Sequence, residues 1–394
     1  MSVTVNKPLS PAKELFLSIA LVAQEISSET IREMKKDFGE SIIQNSINTI
    51  LSRKGYIHRV GGRTDSGYVL TPEGYEYVRI KLPDRFQYHI HRAPTHIYDK
   101  TRRVRYRRMS MVLYNLYREG VAFDDHSTEL NTILNGEPIA ILSPFFVTQK
   151  ELVKAQSKLS TTYGTRVYGV IITPSKFIIV YAPSKEKNLY ARTEISYYQS
   201  LMSTLSSAAA PFHLRENIEY IFLYPNDEDV IDSFVEAGKR NRYVACTYQM
   251  YAKSASRRSL LYRMNRSTYH LSDIFTDSRK RTIDAVFMEY YEVKTRSLYH
   301  PNDVNICGYY RDTDIPMYML WDLSPTLLAS AIQYTRQPGF DINGKVYIMC
   351  FEEEAELIAD ILKTDRQSTK HFAICELPYN DVIRYINGEI ERIE

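Results

Sequence analysis

His89-Ile90-His91 puts two imidazoles on one side of an extended segment, because alternate residues of a strand share a face. Two such rings can hold a divalent metal, and a helical tyrosine, Tyr114 or Tyr117 here, would then attack a phosphodiester. That chemistry is DNA nicking. It requires a strand and helix of its own ahead of the triplet, where another folded module stands, so two partly exposed histidines in a linker are the expected reading. A second set, Asp284 with Glu292-Val-Lys294, has the acid, acid and lysine of a metal-dependent nuclease. If residues 284–294 form one strand, the two carboxylates lie about 26 Å apart at roughly 3.3 Å per residue, too far to share a metal. Asp273 or Asp277 would have to fold back to replace one of them, and nothing in the sequence requires it. A half-buried strand with a surface ion pair is expected.

Other signatures are missing. No phosphate-cradling GxxxxGK[ST], no GxGxxG, no GxSxG and no HExxH occurs, which removes support for motor, dinucleotide-oxidoreductase and zinc-protease readings. Asp227, Asp229 and Glu353 stand at helix starts, where carboxylates complement the helix dipole without any catalytic role. The expectation is therefore no catalytic residue, no metal and no cofactor, with a metal-dependent nickase or nuclease as the alternative.

The elements that would position any site belong to a chain of 394 residues, long enough for separate domains. With 44% hydrophobic and 25% charged residues, disorder and fibrous repeats are excluded. Cys246, Cys307, Cys350 and Cys375 are scattered without a C-x-x-C pair, which suits a reducing cytoplasm better than a zinc ribbon or a redox motif. The first residues lack the pattern of a signal peptide and no apolar run reaches membrane length, so no membrane partner is expected. The net charge is only +3, yet residues 85–119 hold nine Lys/Arg against two acids, and 239–281 hold eleven against two. Stretches of that kind create positive surfaces.

Near the N-terminus, Leu15, Ile19, Val22 and Ala23 mark one face of a helix over residues 11–24. Ser27 or Ser28 caps a short second helix over 29–36 carrying Ile31 and Met34. After Gly39, a third helix over 40–53 buries Ile43, Ile47, Ile50 and Leu51 and exposes Ser41, Gln44, Asn45 and Asn48. Residues 56–60 and 68–70 then make a two-stranded hairpin with a tip at 61–67, and Thr71-Pro72-Glu73-Gly74 starts a last helix. Helix, Arg-Lys-Gly-Tyr-Ile, a glycine-rich turn and Leu-Thr-Pro-Glu-Gly-Tyr-Glu-Tyr resemble many bacterial winged-helix domains. In that fold the third helix enters the major groove, so Ser41, Gln44, Asn45 and Asn48 are the candidates for base readout. Arg59 and Arg63 on the wing would reach a phosphate or the minor groove. Amides that merely face solvent, on a module that docks another protein, are the bland alternative.

Beyond a linker from residue 83, residues 101–119 read as a helix with Val104, Met111, Val112 and Leu116 buried. Arg102, Arg103, Arg105, Arg107 and Arg108 crowd its first turns, with Asp99 the only acid nearby in sequence, a cluster suited to phosphates. A solvated face, or pairing with the acidic run Glu352–Glu356, is the alternative. Downstream, residues 138–142, 166–172, 177–181, 220–224 and 346–351 read as strands, the second and third joined as a hairpin through 173–176 and the last two each followed by a helix.

The winged helix, the Arg-rich RRVRYRRMSMVLYNLYREGV and the hairpin RVYGVIITPSKFIIVY occur in an order that resembles the plasmid replication-relaxation family and related winged-helix proteins of bacterial mobile genetic elements. The likeness covers roughly residues 10–200 and includes no catalytic signature. It implies DNA binding in plasmid replication, maintenance or transfer. The expected fold class is α+β: an N-terminal winged helix-turn-helix (1–82), a linker and Arg-rich helix (83–120), then a mixed α/β domain (121–394). The expected partner is double-stranded DNA, with homodimerisation left open, and a structural or interaction protein is the third reading.

Overall fold

A proline at the first helical position and apolar side chains on every side make the first helix, α1 (Pro11–Ala23), an interior one: Leu15, Phe16, Ile19, Ala20 and Val22 are all buried. The computed structural model describes residues 10–50, 54–62, 66–81, 89, 100–123, 126–137, 139–155, 167–182, 197, 199–203, 205, 218–240, 259–263, 277–295 and 306–393. Its architecture is mixed α+β, with three small sheets among these residues. They divide into two compact units, the first reaching Asn131 and taking in Phe145–Val147, the second comprising 132–144 and 148–394.

In the first unit, β1 (Ile26–Ser27) leads into α2 (Ser28–Phe38), whose first turn is capped by Ser27 Oγ accepting from Thr30 N at 3.1 Å. Gly39, at φ 91°, makes the turn into α3 (Glu40–Asn48), a backbone conformation that a side chain would strain. The hairpin of β2 (Ile57–Val60) and β3 (Gly67–Leu70) follows, with β1 added to β3 as a third strand. α4 (Pro72–Lys81) is capped by Thr71, whose Oγ1 accepts from Gly74 N at 3.0 Å and donates to Gly55 O at 2.7 Å. The long helix α5 (Lys100–Arg118) lies against α1, α2 and β1.

The second unit holds two sheets. In one, β4 (Val167–Ile172) and β5 (Phe177–Tyr181) form the expected antiparallel hairpin, and β6 (Ile218–Tyr224) and β7 (Ser259–Arg263) continue in parallel. The other has the order Phe372–Leu377, Val346–Phe351, Pro316–Met319, Gly308–Tyr310, Val293–Lys294; its first three strands run parallel, and its last two pair antiparallel with their neighbours. Apolar residues on both faces of Val346–Phe351 are what a covered parallel strand demands.

Three expectations change. Residues 139–142 are not a strand: Leu142 is 92% exposed, and the nearby strand is Phe145–Thr148. Residues 277–290 form a helix in which Ile283, Val286 and Phe287 make the buried stripe, so only Val293–Lys294 of the expected long strand is extended. The third helix is regular only to Asn48, with a wider turn at 49–50.

Candidate functional site

The face of α3 is divided by its 3.6-residue period. Ile43, Ser46 and Ile47 point inward, and Ser41, Gln44, Asn45 and Asn48 are exposed together on the outer side. Two of the amides are held in a chain. Lys35 Nζ donates to Gln44 Oε1 at 3.2 Å and pairs with Glu40 at 3.3 Å, and Gln44 Nε2 donates to Asn48 Oδ1 at 3.2 Å. Each of those amide oxygens therefore accepts from within the protein. Lys35, at the end of α2, was missed in the sequence; only the turn at Gly39 brings it beside Gln44. Arg59 is exposed on β2, opposite Tyr68. Arg63 lies outside the described residues.

The arginines of α5 fall into two groups. Arg103, Arg107, Ser110, Tyr114 and Arg118 recur at helical spacing along one side, and that side meets α2 and the chain just before it. Arg103 makes a two-pronged pair with Glu25, Nε to Oε2 at 3.0 Å and Nη2 to Oε1 at 2.8 Å, with Glu25 only 2% exposed. Arg107 pairs with Glu29 at 3.5 Å and Arg118 with Asp37 at 3.2 Å. Between them the Ser110 hydroxyl accepts from Ser27 N and bonds Thr30 Oγ1 at 2.8 Å. The expectation that Asp99 is the only acid within reach of this cluster is thus corrected, since folding brings three acids from residues 25–37. The same arrangement turns Val104 outward, 48% exposed, although it was expected in the buried stripe. Arg102 and Arg105 are exposed and Arg108 is half-buried.

The candidates for chemistry are placed as follows. Tyr114 is buried and donates to Asp37 Oδ2 at 2.6 Å; burial first, and that hydrogen bond second, push its phenol far above the ordinary range. His89 is buried, against the expectation of partial exposure, and His91 lies outside the described residues. Asp284 stands on the helix Asp277–Tyr290 and accepts from Trp321 Nε1 at 2.7 Å, while Glu292 is exposed beside Arg311 at 3.5 Å. One turn before Asp284, Lys280 makes a buried pair with Asp322 at 2.8 Å. Among the carboxylates at helix starts, Asp229 N donates to Asn226 Oδ1, and Glu353 accepts from Tyr379 N, both ordinary end-capping arrangements. Among the described residues no three His, Cys, Asp or Glu side chains gather to hold a metal, and no helix is long and apolar enough to cross a membrane.

No family model, no curated protein and no solved structure matches the chain.

Proposed function

We propose that the chain binds double-stranded DNA, with residues 11–81 acting as a winged helix-turn-helix: α3 as the recognition helix and the β2–β3 hairpin as the wing. One observation carries the reading: an amide-rich face of Ser41, Gln44, Asn45 and Asn48 stands exposed on the helix that follows a glycine turn and precedes the hairpin. Amide side chains offer the donor and acceptor groups that distinguish base edges in the major groove. Arg59 and the outward Arg102 and Arg105 are read as phosphate contacts, which position the protein without reading sequence. Arg103 and Arg107 are assigned to holding α5 in place. The setting, replication, maintenance or transfer of a bacterial mobile element, is proposed on the likeness of residues 10–200 to the family named above.

The test is a binding titration of the full chain on labelled duplexes, a selected site and a random sequence, with and without manganese and scored for cleavage as well. Binding with the duplex intact supports the reading. Gln44→Ala and Asn45→Ala should each weaken binding to the selected site by about 1 to 3 kcal/mol and leave the random duplex nearly unaffected. Equal losses on both duplexes, or no binding to either, would overturn it.

A further inference from the structure

Ile42, the third residue of α3, is 52% exposed. The helical period places it within about 100° of Ser41, with Asn45 between them, so an apolar side chain shares the outer arc with two polar ones. Helical side chains lean toward the N-terminus. Ile42 does so here: a Cβ built on Gly39 would meet its Cδ1 at 3.8 Å. The branched hydrocarbon thus projects over the N-terminal end of α3, the end that a recognition helix turns toward the bases.

Every base pair lines the major groove with hydrogen-bonding atoms, and its one apolar feature is the 5-methyl group of thymine. Isoleucine can neither donate nor accept a hydrogen bond, so packing on that methyl is the favourable contact open to it there. We propose that Ile42 selects a thymine through its 5-methyl group, beside the base met by Asn45. This rests on the DNA-binding reading of α3 and adds a specificity-determining residue of a chemistry that the amides cannot supply.

The experiment uses the full chain and the duplex it enriches from a random pool. Each thymine of that site is replaced in turn by deoxyuridine, which removes the methyl and nothing else in the groove. At one position the wild type should lose about threefold to tenfold in affinity, the scale of one buried methyl. The same replacement should leave Ile42→Ala unchanged, and Ile42→Val should retain part of the effect. An enriched site without thymine, deoxyuridine tolerated at every position, or a loss that persists undiminished in Ile42→Ala would overturn this inference while leaving DNA binding intact. Absence of binding to any duplex would instead remove the reading of α3 and this inference with it. Because Ile42 is exposed, a melting curve of Ile42→Ala matching the wild type is expected and separates lost contact from lost fold.

Discussion

Glu25 and Arg103 are 78 residues apart in the chain and share two hydrogen bonds in a nearly water-free position. Breaking such a pair from one side leaves an uncompensated buried charge, which costs about 3 to 5 kcal/mol. Arg103→Ala is therefore expected to lower the stability of the first unit by that order in urea denaturation, while the salt dependence of DNA binding stays as it was. A stable Arg103→Ala protein with a reduced salt slope would return Arg103 to the proposed DNA contacts.

Arg102 and Arg105 should behave in the opposite way. They are exposed on α5, and if they are the phosphate contacts proposed above, replacing them is expected to make the slope of log affinity against log salt shallower by about 0.9 for each contact removed, equally on every sequence. Titrations of Arg102→Ala and Arg105→Ala at several salt concentrations read this directly.

Lys35 donates to Gln44, which in turn donates to Asn48. Lys35→Met is expected to reduce the ratio of selected-site to random affinity a few-fold, with partial rescue by Lys35→Arg. If Lys35 only touched phosphate, both duplexes would lose affinity together and the ratio would hold.

Gly74 lies inside α4, where exchanging glycine for alanine ordinarily gains about 1 kcal/mol of helix propensity. A Cβ there would stand 2.1 Å from the Tyr56 carbonyl oxygen, a backbone atom that cannot step aside. Overpacking of that kind costs about 1 to 3 kcal/mol or more and should win. Gly74→Ala is expected to melt lower than the wild type; a higher melting temperature would show that the hairpin gives way.

The Cys350 thiol, buried between strands and close to Glu376 and Glu354, is pushed well above its ordinary range, with desolvation the main cause. In the unfolded chain it ionises from about pH 8.5 upward, while in the folded protein it stays protonated. Its contribution to stability is therefore complete below that pH and is lost as the pH rises, by up to about 1.4 kcal/mol per pH unit. Urea denaturation at pH 7.5 and 9.5 should show the loss for the wild type and a smaller one for Cys350→Ala.

Local signals were the readable ones. The apolar rhythm of α1, the Ser27 cap, the glycine turn and Thr71-Pro72 each act within a few residues, and the described elements fall where those signals put them. The two residues of β1 carry no period at all, so a third strand on the hairpin could not be read. The arginines of α5 were legible as a cluster, but their partners depend on a long-range packing of α5 on α2, and sequence neighbours such as Asp99 gave the wrong account of them. The strand expected over 284–294 gives way to a helix through Tyr290, because the i, i+3, i+4 spacing of Ile283, Val286 and Phe287 is the period of a buried helical face.

The seam between α2 and α5 also decides where the chain can be cut. A fragment ending at Lys81 would strip away a helix of 19 residues, leaving the Glu25 carboxylate and the Ser27 amide opened to water along a polar trench. Such a fragment would keep the amide face of α3 yet lose the brace behind it. The compact unit that contains this brace runs to Asn131 and takes in Phe145–Val147, so a domain graft or a fusion junction belongs beyond those residues and not in the stretch between Lys81 and Lys100.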